Sequence, residues 1–100
     1  MNYPSLPIIV TPRPQKLLLA QRDWYNTKQD GLGDQFYNEM LDALTYLEAN
    51  YHTAPFVKGR KDIQRFVTTG GSFRWLNYFR VQKNKIVVPS IVHPSRKPRY

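Results

Sequence analysis

The apolar residues of this chain change their spacing once, near residue 62, and this change limits the folds that the chain can adopt. Between Asp34 and Tyr51 they recur every three or four residues, which predicts an amphipathic helix with one buried face. That face consists of Phe36, Met40, Ala43, Leu44, Leu47 and Tyr51. After Asp62 the spacing becomes two residues, which is typical of strands. The chain is therefore expected to pack helices against a sheet.

Two shorter segments precede this long helix. Leu6 to Thr11 is a short apolar, β-branched run, which predicts a strand. Pro14 suits the first turn of a helix because its missing N–H would be unpaired there, and we expect a helix from Pro14 to about Asn26. Asp34 is expected to cap the second helix. The predicted inward stripe of the first helix consists of Leu17, Leu18, Gln21, Trp24 and Tyr25.

The downstream region predicts three strands separated by tight turns. The strands are Ile63 to Thr69, Ser72 to Gln82 and Lys85 to His93. Gly70-Gly71 and Lys83-Asn84 are the predicted turns, because glycine and asparagine accept positive φ angles. Pro89 lacks an N–H and predicts an edge, a bulge or a break in the last strand.

The resulting element order is β-α-α-β-β-β within one domain that spans residues 1–100. We expect an α+β fold in which a helical pair packs on one face of a small, largely antiparallel sheet. Residues 1–7 are expected to form an N-terminal extension, and residues 94–100 a basic tail.

The net charge of +8 lies entirely in the last 38 residues. Residues 1–62 carry seven basic and seven acidic side chains, whereas residues 63–100 carry eight basic and no acidic ones. Such a field attracts polyanions, and interleaved aromatic rings suit stacking on nucleic-acid bases. An acidic protein partner would satisfy the same charge, so both kinds of partner stay open. The aromatic residues of this region are Phe66, Phe73, Trp75, Tyr78, Phe79 and Tyr100.

Composition excludes some classes of site. The chain has no cysteine, so neither a disulfide framework nor a thiolate metal site can form. We expect no metal and no cofactor. The chain shows no signal-peptide pattern at its start, and no apolar run reaches the roughly 18 residues of a membrane span. We therefore expect a cytoplasmic protein with no membrane partner.

Three segments of the chain carry motifs of one known family. Trp24-Tyr25 is followed by Gly31-Leu32-Gly33-Asp34-Gln35-Phe36, and this segment resembles the pattern "WYe.q..GLGe.F" of the RelE/ParE superfamily of toxins from type II toxin–antitoxin systems. Phe73 to Val81 resembles the strand "FPYlIyYRV", and Ile91 to Pro98 resembles the ending "vlHgrRdP". Arg74 stands where the family has proline, and Asn77 where it has an apolar residue.

The resemblance implies a small toxin that a co-encoded acidic antitoxin neutralises. RelE-like members cut mRNA on the ribosome, whereas ParE-like members act on DNA gyrase without being nucleases. The quoted motifs are shared by both groups, so three alternatives stay open. They are an mRNA endoribonuclease that inhibits translation, a gyrase inhibitor, and a binding-only protein with the toxin fold. A homodimer is kept as an alternative assembly.

RNA cleavage without a metal requires a proton acceptor, positive charge on the phosphorane and a proton donor. Histidine ordinarily changes charge near neutral pH, so His93 is the expected proton carrier. Arg74, Arg65 and Arg80 are the expected catalytic cations, with Arg74 and His93 on neighbouring strands whose open faces meet. The expected nucleic-acid-binding residues are Arg96, Lys97, Tyr78, Tyr100 and Lys85.

These residues also have structural alternatives. His93 could hold only the C-terminal segment, and Arg80 could bond backbone carbonyl groups. Arg65 could pair with Asp62 or with a carboxylate of a helix. In the predicted strand, one set of alternating residues is expected to form an open basic face opposite the helices. That set is Arg74, Leu76, Tyr78 and Arg80.

Overall fold

A computed structural model describes residues 3–68, 71 and 73–100. Two long helices follow a short first strand, and three further strands complete the fold in the predicted order. The elements are β1 (Ile8–Val10), α1 (Pro12–Lys28), α2 (Leu32–Asn50), a 3-10 helix (Tyr51–Thr53), β2 (Gln64–Val67), β3 (Leu76–Gln82) and β4 (Lys85–Val92).

The sheet has four strands in the order β1-β4-β3-β2. β2, β3 and β4 pair antiparallel, and β1 runs parallel to β4. Both helices pack on one face of this sheet, so the predicted α+β architecture is confirmed. In the part of the chain that the structure describes, neither α1 nor α2 is long and apolar enough to cross a bilayer.

Phe36 lies at the centre of the core. Its ring is fully buried and contacts the rings of Tyr25, Phe73 and Trp75. Such a side chain stabilises the fold by roughly 1.5–3 kcal/mol when it leaves water. The inward stripe predicted for α2 is confirmed, since all its members are buried: Phe36, Met40, Ala43, Leu44, Leu47 and Tyr51.

Pro89 lies at a bulge in β4. Tyr78 pairs with Ser90 and Arg80 pairs with Val87, so Val88 and Pro89 together lie opposite Phe79 alone. The extra residue accommodates the missing N–H of proline, and the predicted irregularity is confirmed. The turn between β3 and β4 is also confirmed, since Lys83 and Asn84 have φ angles of 51° and 60°.

The prediction that Trp24 of the first helix faces the core is wrong. Trp24 is 52% exposed and does not join the core. Tyr25 follows Leu18 by seven residues, close to two helical turns, and therefore takes the inward position. Trp24 is rotated about 100° away from it. The helix is also longer than predicted, from Pro12 to Lys28.

The start of α2 is capped by its neighbouring helix and not by Asp34. Gly31 precedes the helix with a φ angle of 82°, a conformation that glycine adopts readily. The side-chain oxygen of Asn26 accepts hydrogen bonds from the N–H groups of Gly33 at 2.6 Å and Asp34 at 3.3 Å. These are two of the N–H groups that a helix leaves unpaired at its start. The prediction that Asp34 caps α2 is wrong.

The strands are shorter than predicted. β1 covers only Ile8–Val10, and β2 covers only Gln64–Val67. β3 begins at Leu76, because its register with β2 ends at the pair Val67 and Leu76, with one further bond from Thr68 N–H to the Trp75 carbonyl. β4 ends at Val92, one residue before His93. The predicted strand ends at Thr69 and Ser72, and Gly70 of the predicted turn, lie outside the described residues.

Candidate nucleic-acid interface

A wide groove opens between α1 and the second half of β4. β1 pairs only with Ile86–Val88, and immediately after it the chain turns into α1. Residues 89–92 of β4 therefore face the side of α1 across a groove of about 1440 Å³. The C-terminal tail, from Ser95 to Arg99, lines the same groove. Its volume exceeds the roughly 300–1,000 Å³ of typical small-molecule pockets.

The groove is basic and aromatic. Its cations come from both sides, Arg13 from α1 and three residues from the tail. No Asp or Glu is among its lining residues, within the part of the chain that the structure describes. A surface of this composition attracts phosphate groups and offers ring faces to bases. The tail cations are Arg96, Lys97 and Arg99, and the ring-bearing residues are Trp24, Tyr25, Trp75 and His93.

His93 lies at the end of β4 with its ring held on two sides. The imidazole packs edge-on against Trp75, with ring centroids 5.6 Å apart. Its Nδ1 atom lies 2.8 Å from the Ser95 hydroxyl and 3.2 Å from the Ser95 N–H. Because the Ser95 N–H donates to Nδ1, the neutral ring in this arrangement carries its proton on Nε2. Nε2 accepts a proton from a ligand only in the other tautomer, in which Nδ1–H donates to the Ser95 hydroxyl in place of the bond from the Ser95 N–H. His93 itself is exposed and lines the groove.

The opposite face of the sheet carries a second cluster. Arg65, Tyr78 and Ser90 lie side by side on β2, β3 and β4. Arg80 follows on the same face, as the alternation in β3 predicted. This face is not open as expected, because the tail folds back over it. Tyr78 and Ser90 are both only 5% exposed.

The end of the chain makes this cover. The ring of Tyr100 lies 5.2 Å from that of Tyr78, and the Arg99 N–H donates to the Ser90 hydroxyl at 3.3 Å. The Arg60 guanidinium lies over the Tyr100 ring, 5.1 Å from its centroid. Tyr78 is therefore closed to a base in this conformation, whereas Tyr100 remains 37% exposed.

Asp62 is held by Arg60 and not by Arg65. The Arg60 guanidinium donates two hydrogen bonds to the carboxylate, at 3.0 and 2.9 Å. These bonds hold the pKa of Asp62 below its ordinary value and raise the pKa of Arg60. Arg65 is exposed and forms no ion pair with a described residue, so its expected alternative pairing is absent there.

Arg80 is half-buried on the outer face. Its Nε atom is buried and has no hydrogen-bond partner among the described residues. The alternative that Arg80 bonds backbone carbonyl groups is therefore wrong for this atom. A buried N–H without a partner is costly, by about 1–3 kcal/mol, which favours an anion or a water at this position.

Arg74 and His93 do not lie on neighbouring strands, contrary to expectation. Arg74 precedes the start of β3 and His93 follows the end of β4. The residue that contacts His93 across the strands is Trp75, which is buried. Because successive residues of an extended chain point to opposite sides, Arg74 points away from the side of Trp75. Arg74 is exposed.

The structure thus sorts the predicted site residues into separate places. His93, Arg96 and Lys97 share the groove, whereas Arg65, Tyr78, Arg80 and Tyr100 share the outer face. Lys85 begins β4, roughly 25 Å along the strand from His93 at about 3.3 Å per residue. It belongs to neither cluster.

Sequence reasoning missed several residues of the groove, among them Arg13, Trp24 and Arg99. The spacing of Trp24 fits the helical stripe and so predicts a core position, and Arg13 belongs to the upstream half whose charges balance. The motif Trp24-Tyr25 did contain a signal. Two adjacent rings on a helix cannot both face the core, since they are about 100° apart.

Within residues 3–68, 71 and 73–100, no group of three or more His, Asp or Glu side chains is placed to hold an ion. The groove instead offers cations, rings and one imidazole, which suit an anionic ligand with flat groups.

No protein-family model matches this chain, and no curated protein sequence matches it either. The resemblance to the RelE/ParE toxins therefore rests on the sequence motifs alone. Trp24-Tyr25 and the segment around His93, which carry two of those motifs, lie on opposite walls of the groove.

Proposed function

We propose that this chain is the toxin component of a type II toxin–antitoxin module and that it cuts mRNA on the ribosome. The observation that carries the proposal is the groove itself. It combines an exposed imidazole, four cations and three aromatic side chains with no acidic lining residue in the described part of the chain. The motifs that resemble the RelE/ParE superfamily support the toxin assignment, although mRNA-cutting and gyrase-inhibiting members share them.

His93 would act as the proton carrier in this reaction. The 2′-oxygen of the RNA attacks the adjacent phosphorus while Nε2 of His93, in the tautomer that carries its proton on Nδ1, takes the hydroxyl proton. The bond from phosphorus to the 5′-oxygen then breaks, and the same proton passes to that leaving oxygen. The products are a 2′,3′-cyclic phosphate and a free 5′-hydroxyl. Arg96 and Lys97, which line the groove with His93, stabilise the negative charge that develops on the phosphate.

The partners follow from this activity. mRNA and the ribosome place the protein in the cytoplasm. The antitoxin is expected to be an acidic segment that folds onto the basic surface, and its binding should weaken as salt increases. A protein partner whose affinity did not depend on ionic strength would contradict this part of the proposal.

One observation favours the non-enzymatic alternative, inhibition of DNA gyrase. The three arginines expected at the reacting phosphate, Arg65, Arg74 and Arg80, are not gathered around His93. A protein that only binds its target requires no such assembly. We therefore test both targets together.

The decisive variant is His93→Gln, because glutamine keeps hydrogen bonding but cannot exchange a proton near neutral pH. Wild-type protein should arrest growth on induction, and primer extension on a reporter mRNA should show new 5′ ends. His93→Gln should lose the cuts by 100-fold or more, within the usual range of about 10²–10⁴ for general acid–base catalysis. The matched control is His52→Gln, since His52 is exposed and stacks on Tyr3 outside the groove.

Arg74→Ala tests the catalytic role that the sequence predicts for Arg74. An exposed arginine contributes little to stability, so a loss of cleavage would report on catalysis. If the wild type cuts no mRNA and both variants stay toxic, the nuclease proposal fails. Inhibition of supercoiling by purified gyrase would then support the alternative.

A further inference from the structure

Trp24 is the most exposed of the three aromatic side chains that line the groove, and it does not join the core. It is 52% exposed, although tryptophan side chains are mostly buried in folded proteins. The ammonium group of Lys28 lies over its ring, 4.9 Å from the centroid, so one ring face holds a cation and a base would stack on the other face. Exposed aromatic surface flanked by cations is typical of sites that bind flat, negatively charged ligands.

Trp24 and His93 are both packed against the same buried core. A continuous series of ring contacts, each between 5.1 and 5.6 Å, connects the two residues through the core. The series runs from Trp24 through Tyr25, Phe36 and Trp75 to His93. Because Phe36 and Trp75 are buried, the two exposed rings lie at opposite ends of one buried aromatic series.

Cations lie on both sides of the groove between Trp24 and His93, where they can contact the phosphates of a single-stranded nucleic acid. Arg13 stands on the α1 side with Trp24, and Arg96, Lys97 and Arg99 stand on the tail side with His93. The groove of about 1440 Å³ is larger than the roughly 300–1,000 Å³ of typical small-molecule pockets. A single-stranded polynucleotide fits such a surface, because its bases are free to stack while its phosphates meet the cations.

We propose that Trp24 is a base-stacking subsite for single-stranded RNA, which binds along the groove between α1 and the tail without help from the ribosome. The choice of RNA rests on the proposed function, whereas the stacking site rests on the geometry of Trp24. Duplex RNA cannot present unstacked bases to the ring, so the subsite discriminates against it. An acidic peptide would also bind the cations, but its affinity would not depend on an aromatic ring at residue 24.

The experiment uses the full chain and an octamer of uridine, with tryptophan fluorescence as the signal. The chain has two tryptophans, and Trp75 is only 4% exposed, so quenching by RNA should come from Trp24. Trp24→Leu should weaken binding by about 5- to 150-fold, the range for loss of one stacked base, measured with labelled RNA. Trp24→Phe should recover part of this loss because it keeps a ring.

Two control variants separate stacking from charge. Phe56→Leu removes an equally exposed aromatic residue outside the groove and should leave binding unchanged. Arg96→Ala should weaken binding and lower its salt dependence, whereas Trp24→Leu should weaken binding with the same salt dependence.

Equal RNA affinity of Trp24→Leu and wild type would overturn the subsite. So would equally tight binding of a duplex RNA, or quenching of Trp24 by poly-glutamate at the same concentrations. The His93→Gln variant distinguishes a failure of the Trp24 subsite from a failure of the proposed nuclease function. Loss of mRNA cuts with RNA binding retained supports both proposals, while Trp24-dependent binding by a protein that cuts no mRNA supports the subsite alone.

Discussion

The ring of Tyr100, the last residue of the chain, packs against the ring of Tyr78 in the middle of β3, with centroids 5.2 Å apart. Tyr78 is buried as a result, although it lies on the face of the sheet opposite the helices. The tail therefore acts as a third layer over the outer face. It also places Arg96 and Lys97 in the groove beside His93.

Tyr100→Ala should uncover Tyr78. The aromatic pair contributes about 0.5–1.5 kcal/mol beyond its buried area, so the free energy of unfolding should fall by at least that amount. Urea denaturation followed by circular dichroism measures the change. Phe56→Ala is the control, because Phe56 is 56% exposed and should change stability by less than about 0.5 kcal/mol. Equal stability of both variants would mean that the tail does not hold this position.

Phe36→Ala should strongly destabilise the fold. The side chain is fully buried against three other rings, and such truncations cost about 3–5 kcal/mol through lost burial and the cavity left behind. Leu41→Ala on the same helix is the control, since Leu41 is 40% exposed. Thermal unfolding of the two variants compares them directly. If Phe36→Ala hardly changed the free energy of unfolding, the core would not be centred on Phe36.

Gly33→Ala should loosen the contact between the two helices. A Cβ atom at this position would overlap the carbonyl oxygen of Arg22 and lie 2.7 Å from the side-chain oxygen of Asn26. The added methyl group must push α2 away from α1 at a cost of about 1–3 kcal/mol. Asn38→Ala, on the exposed side of α2, should change stability by less than about 0.5 kcal/mol. Chemical denaturation measures both, and a stable Gly33→Ala would contradict the close helix contact.

Asp62→Asn should alter stability only above acidic pH. The bonds from Arg60 hold the pKa of Asp62 below its ordinary value of about 3.9, so folding favours the ionised carboxylate. This contribution is present above the ordinary pKa and is lost as the pH falls through the lowered pKa. Urea midpoints at about pH 7 and pH 2 should therefore show a small difference between variant and wild type only at the higher pH. A difference that grew on acidification would have the wrong sign.

Local chemistry explains the parts of the fold that could be predicted. The buried stripe of α2 depends on the 3.6-residue helical repeat, and the turn at Lys83-Asn84 depends on the ease with which asparagine adopts positive φ. The bulge at Pro89 depends on a missing N–H. Each of these properties belongs to a residue and its neighbours in the chain, so the sequence alone contains them.

Contacts between distant segments explain the parts that could not be predicted. Asn26 caps α2 because α1 packs beside it, and Trp24 is exposed because Tyr25 occupies the inward position. The sequence by itself determined the α+β order, the helical core face and the basic C-terminal region. Only the tertiary structure brought His93, Trp24 and Arg13 to one groove and separated them from Arg80. The reason is that a side chain's neighbours across a groove depend on how whole elements pack, and no spacing along the chain encodes that packing.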